Sequence, residues 1–89
     1  VRIEQKPTFR RSYRKLHPNQ RKIVDDVIRS ILKTPSIGDE KRGDLKGVWV
    51  YKFDCINQLY LLAYEYSDSL LMLLGLGPHE NFYRDLKRD

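Results

Sequence analysis

The chain has 89 residues, enough for one small domain whose fold covers roughly two-thirds of the unfolded surface. A single cysteine, Cys55, excludes an internal disulfide framework and a Cys/His metal cluster. Seventeen Lys and Arg against twelve Asp and Glu give a net charge of +5, the sign that suits a polyanionic or acidic partner.

That charge is uneven. Residues 1–33 hold ten basic and three acidic groups, a net of +7, and residues 34–89 hold seven and nine, a net of −2. An electropositive surface and a merely solvated helix face are both compatible with this split. The longest apolar run, Leu70 to Leu74, is of strand size and far short of a membrane span. The opening VRIEQKPTFRR has charge without the apolar core of a signal peptide. A soluble, cytoplasmic protein with no membrane partner is expected.

In chain order, Arg2 to Gln5 reads as a short strand. Pro7 suits the first turn of a helix without a strong cap. Phe9, Tyr13 and Leu16, spaced four and three apart, mark its apolar side, and Arg10, Arg11, Arg14 and Lys15 the opposite one. His17-Pro18 ends it, because the residue before proline avoids the helical region. A second helix is predicted from about Asn19 to Lys33. Its stripe is Ile23, Val24, Val27, Ile28, Ile31 and Leu32, with Arg21, Lys22, Asp25, Asp26 and Arg29 toward water. The short link makes the two a helical hairpin.

Thr34 to Gly43 is polar, with a proline and two glycines, and reads as a loop. Trp49, Tyr51 and Phe53 then alternate with Val48, Val50 and Lys52, the period of a half-buried strand. Asp54 to Gln58 turns the chain. LYLLAYEY, Leu59 to Tyr66, is apolar on both faces, as a central strand is. Ser67-Asp68 makes a hairpin, Ser69 to Leu76 the next strand, and Gly77-Pro78 its end. A short amphipathic helix, begun by His79, completes a single domain over residues 1–89. The fold class is α+β: a helical hairpin packed on a small antiparallel sheet in the order β-α-α-β-β-β, with a short C-terminal helix.

Metal, nucleotide and nucleophile-elbow motifs are missing from the sequence. What remains is a set of polar groups about the sheet face away from the hairpin. Alternation sends Trp49, Tyr51 and Phe53 to the core side and Lys52 the other way with Val48, Val50 and Asp54. In a helix, His79, Tyr83 and Lys87 share one side. Cutting RNA with the neighbouring 2′-OH as nucleophile requires a proton acceptor, a proton donor and positive charge near the phosphate. Histidine suits the first two roles and lysine the third, and an aromatic ring can stack the unpaired base. The same residues also suit plain structure: Phe82 and Tyr83 docking the last helix, His79 capping it, Lys52 facing solvent.

The pattern Asp44-Leu45-Lys46-Gly47-Val48-Trp49-Val50-Tyr51-Lys52-Phe53, then Leu62-Ala63-Tyr64, then Gly77-Pro78-His79-Glu80-Asn81-Phe82-Tyr83 resembles the RelE/ParE superfamily of toxins from bacterial type II toxin–antitoxin systems. The terminal G-x-H-x-x-x-[FY] is similar to the YafQ branch, whose C-terminal histidine and following aromatic serve ribosome-dependent mRNA cleavage. The resemblance implies catalytic roles for His79 and Tyr83, with Lys52 as the strand lysine used in RelE-type enzymes. It implies RNA contacts from Arg10, Arg11, Arg14, Lys15, Arg21, Lys22, Lys46 and Arg84. Departures are visible: Leu61 stands where an arginine is usual in RelE, and Gly43 where the YafQ branch carries a histidine.

The resemblance thus implies an endoribonuclease toxin that inhibits translation on the ribosome. Its partners would be a cognate antitoxin, the ribosome and mRNA, with operator DNA met only through the antitoxin complex, and no cofactor or metal is implied. The alternatives are a ParE-type inhibitor that binds DNA gyrase without cutting RNA, and a plain RNA- or protein-binding module.

Overall fold

The computed structural model describes residues 1–80 and 82–87. Strand β1 (Arg2–Gln5) leads into α1 (Pro7–Arg14) and α2 (Pro18–Lys33). Pro7 and Pro18 each sit in a first helical turn, where the missing N–H costs nothing. The Gln20 side chain accepts the His17 N–H at 2.8 Å, which fixes the entry of α2. The predicted hairpin holds: α2 starts one residue earlier than expected, and α1 ends at Arg14, short of the expected break at His17-Pro18.

The stretch read as a loop is more structured than expected. A 3-10 turn over Pro35–Ile37 precedes β2 (Asp39–Glu40), and another follows over Gly43–Leu45. Two acidic residues carry no readable strand period, so β2 exists only because β3 (Trp49–Asp54) offers its edge to Asp39 and Glu40. Strands β4 (Leu59–Tyr66) and β5 (Leu70–Pro78) complete the sheet, and α3 (Phe82–Lys87) ends the described chain. The sheet order is β1-β5-β4-β3-β2. The β3–β4 and β4–β5 pairings are antiparallel, as expected, and β2 adds to β3 antiparallel; β1 joins β5 in parallel, with Arg2 opposite Leu70 and Gln5 opposite Leu73.

Two apolar clusters flank the sheet. On the hairpin side, Phe9, Leu16, Val24, Val27 and Ile31 meet Leu62, Tyr64, Leu71 and Leu73. Trp49, Tyr51 and Phe53 border this cluster half-buried, on the side their alternation requires. Two tyrosine hydroxyls, making three hydrogen bonds, tie the layer together. The Tyr13 hydroxyl donates to Asp25 at 2.7 Å, and the fully buried Tyr64 donates to the Pro35 carbonyl while accepting the Gly38 N–H at 3.2 Å. Asp25 therefore does not simply face water.

The other face is not open, as the sequence suggested, but partly roofed by α3. Val48, Val50, Leu61, Ala63 and Leu74 are buried there under Phe82, with Tyr83 and Leu86 alongside. A register shift opposite Ala63 and Tyr64 makes this possible: Gly75 pairs with Ala63 and Leu73 with Tyr64, leaving Leu74 as the extra residue of a bulge. Leu74 keeps the α3 side that alternation from Leu71 and Leu73 gives it; the bulge turns Gly75 to that side as well and so returns Leu76 to the hairpin side.

Candidate functional site

The α3 side of the sheet carries the candidate residues at one corner. Lys52 follows Val48 and Val50 on the same side of β3, but beyond the reach of the roof, and is exposed. It pairs with Leu61, which pairs with Gly77. At about 4.8 Å between strands, Lys52 and Gly77 lie roughly 10 Å apart across one row. A Cβ built on Gly77 meets nothing within 4 Å, so this end of the row is open. The next row on the same face is Asp54 and Leu59, and the His79 N–H donates to the Leu59 carbonyl at 3.0 Å. The register thus sets Lys52, Asp54 and His79 about Leu59 and Leu61 of β4, and all three are exposed.

His79 is not in a helix. Its N–H still serves the β ladder, and only its carbonyl, which takes the Phe82 N–H at 3.4 Å, belongs to the turn that starts α3. The helical alignment of His79 with Tyr83 and Lys87 therefore fails at its first member. Lys87 closes α3, and its side chain lies outside the described residues, as does Asn81. Pro78 extends β5 by pairing with Tyr60, which is why the strand outruns its expected end at Leu76.

Tyr83 is half-buried, set edge-on to Phe82 with ring centroids 5.5 Å apart. Lys41 Nζ lies 5.5 Å from the Tyr83 ring centroid, a cation over an aromatic face. Sequence reasoning missed Lys41. It lies in the stretch read as loop, more than forty residues from its partner, and only the short β2 carries it there.

The predicted RNA contacts divide. Arg10, Arg11, Arg14, Lys15, Lys22, Lys46 and Arg84 are exposed. Arg21 is half-buried, and its Nη2 donates to the Arg14 carbonyl at 3.3 Å, so it secures the end of α1. Lys46 follows Leu45 at the rim of the α3-side cluster, and Arg84 rides on α3. The Asp25 hydrogen bond, then burial, raises the Tyr13 pKa, and burial raises those of Tyr64 and Cys55. Among the described residues no cluster of three metal-binding side chains occurs, and no helix is long and apolar enough to cross a membrane.

A basic helical hairpin on a five-stranded sheet, with a short terminal helix against the other face, is the fold of RelE toxins. Superposition on an E. coli RelE double variant in the free state gives a TM-score of 0.75 at 18% identity, covering 98% of this chain and 94% of that one. The intact E. coli RelBE toxin–antitoxin complex contains a match at 0.71 and 18%, over 89% and 96%. A RelBE-type toxin–antitoxin complex from Mycobacterium tuberculosis contains one at 0.67 and 21%, over 88% and 96%. At these identities the likeness concerns the fold. Comparison with curated proteins finds no match. The family model for the ParE-like toxin of type II bacterial toxin–antitoxin systems matches residues 3–87, and the chain belongs to that family.

Proposed function

We propose that this toxin inhibits translation by cutting mRNA on the ribosome and is neutralised by a cognate antitoxin. The supporting observation is the corner at which the sheet register gathers Lys52, Asp54 and His79 beside the open position over Gly77. In the reaction, the ribose 2′-oxygen attacks phosphorus as its proton leaves to a base, and the bond to the 5′-oxygen breaks as that oxygen gains a proton. His79, exposed and tied to the ladder by its backbone N–H, carries one of these protons. Lys52 offsets the charge that grows on the phosphate. Tyr83, anchored at one edge by Phe82, offers a ring to an unstacked base.

One observation favours a second reading, in which the toxin binds DNA gyrase. Two of the three residues in the central row, Leu61 and Gly77, bring no charge to a phosphate, and the matching family is described as ParE-like. Expression from a tight promoter, with translation and DNA supercoiling followed together, separates the two. Loss of protein synthesis with mRNA cut inside translated regions supports the first reading. Intact mRNA with altered supercoiling supports the second.

A further inference from the structure

A groove of about 670 Å³ lies between α1, the end of β5 and α3. Strand β1 covers the outer edge of β5 only as far as Leu73, whose carbonyl takes the Lys6 N–H. Beyond that point the edge of β5 meets no strand among the described residues, and Gly75 and Gly77 form part of the groove floor without side chains. Helix α1 lines one wall with Thr8, Arg11, Ser12 and Lys15. Their spacing of three, four and seven is one face of a helix, distinct from the buried Phe9 and Leu16. His17 stands at the end of this wall, and Glu80 is the one carboxylate among the described lining residues. Arg10 and Arg14 do not line the groove. The four α1 cations, which the sequence presents as one group, are thus split between two directions.

We propose that this groove holds the phosphodiester backbone of a single-stranded RNA, gripped by Arg11 and Lys15 with His17 as a further donor. The inference rests on the RNA-cleavage reading and extends it to the path of the substrate. Two cations and an imidazole against one carboxylate favour an anionic strand. Gly77, whose missing side chain leaves open space, lets a bulky chain approach the β5 backbone closely. Pro78 and Glu80 both line the groove and bracket His79, so a strand seated there runs past the proposed proton carrier. That continuity favours nucleic acid over an acidic peptide, which would satisfy the charges alone.

The test uses the free toxin and a short 2′-O-methyl RNA oligonucleotide, which lacks the attacking hydroxyl and cannot be cut. Binding is read by fluorescence anisotropy across a salt series for Arg11→Gln/Lys15→Gln and for Arg10→Gln/Arg14→Gln, two pairs on the same helix that remove equal charge. The groove pair should lose about tenfold or more in affinity and lower the salt slope by about 1.4, the loss of two phosphate contacts on a single strand. The outward pair should lose a small fraction of that. Equal losses from both pairs would mean a diffuse field and overturn the groove, as would unchanged binding by the groove pair or no binding by the wild type at low salt. Cleavage of mRNA on translating ribosomes by the wild-type toxin is scored separately: normal probe binding without cleavage would overturn the cleavage reading and leave the groove standing.

Discussion

Gly75 and Leu86 mark a close approach of β5 and α3: a Cβ added to Gly75 would lie 3.2 Å from Leu86 Cδ1 and 3.9 Å from the Phe82 ring. The terminal helix rests on the sheet here because the bulge turns a residue without a side chain toward it. Gly75→Val should therefore lift α3, with a loss of about 1–3 kcal/mol from overpacking. Hydrogen exchange should accelerate in 82–87 more than in the hairpin. Unchanged protection in α3 would show that Leu86 yields without moving the helix.

The β3–β4 turn carries avoidable strain. Ile56 and Asn57 both have positive φ, 56° and 63°, between Cys55 and Gln58, whose N–H and carbonyl close the turn at 2.8 Å. Asparagine tolerates this left-handed geometry, whereas a β-branched residue resists it. Ile56 is 47% exposed, so little packing holds it there. Ile56→Asn should stabilise the fold by about 1 kcal/mol. A denaturation midpoint that stays put or falls would mean that Ile56 makes compensating contacts.

At the candidate site, His79→Ala should cut mRNA cleavage on translating ribosomes by about a hundredfold or more. Its melting temperature should not change, since the His79 backbone, not its side chain, holds the ladder bond. Tyr83→Phe keeps both the ring and the Lys41 contact, so it should impair activity only if the hydroxyl moves a proton. Tyr83→Ala removes the ring and should impair both activity and α3 docking. A normally melting His79→Ala protein that still cuts and kills at full strength would leave the terminal segment with a structural role alone.

Alkaline stability should depend on Tyr13 and Tyr64, whose pKa values are raised in the fold, by the Asp25 hydrogen bond and then burial for Tyr13 and by burial for Tyr64. Each phenol binds its proton more tightly folded than unfolded. That stabilisation is complete below the ordinary tyrosine pKa of about 10 and is lost as pH rises through the higher folded value. Urea titrations from pH 8 to about 11 should show falling stability, and Tyr13→Phe and Tyr64→Phe should each flatten the decline. Tyr64→Phe should also cost about 1–3 kcal/mol at neutral pH by leaving the Gly38 N–H and the Pro35 carbonyl without that partner. Parallel profiles in all three proteins would exclude these phenols as the cause.

The antitoxin should present a segment both acidic and apolar. The N-terminal third carries +7, and Ile3, Leu59 and Tyr66 expose between 40% and 42% of their surface. Charge speeds capture and apolar contact prolongs it. The check is co-expression of the neighbouring small gene: it should relieve toxicity and co-purify, with an association rate that falls as salt rises. A rate indifferent to salt would remove the electrostatic half of this expectation.

Local periodicity was sufficient for every element with a strong pattern. The spacing of Phe9, Tyr13 and Leu16, the long stripe of α2, the alternation about Trp49 and the two-sided apolar run of β4 each record which side is buried, and burial is what periodicity reports. Lys52's direction followed from the same rule. What lay beyond the sequence was everything set by distant partners. Asp39 and Glu40 become a strand only on the edge of β3, and β1 chooses β5 in parallel after a crossover through the whole hairpin. The Leu59 carbonyl draws His79 into the ladder and so delays α3 to Phe82. Lys41 reaches Tyr83, and the α1 cations divide between groove and solvent, because tertiary packing fixes how each element is rotated against its neighbours. A linear pattern states that a face is apolar or basic; which neighbour that face meets is decided only when the layers close.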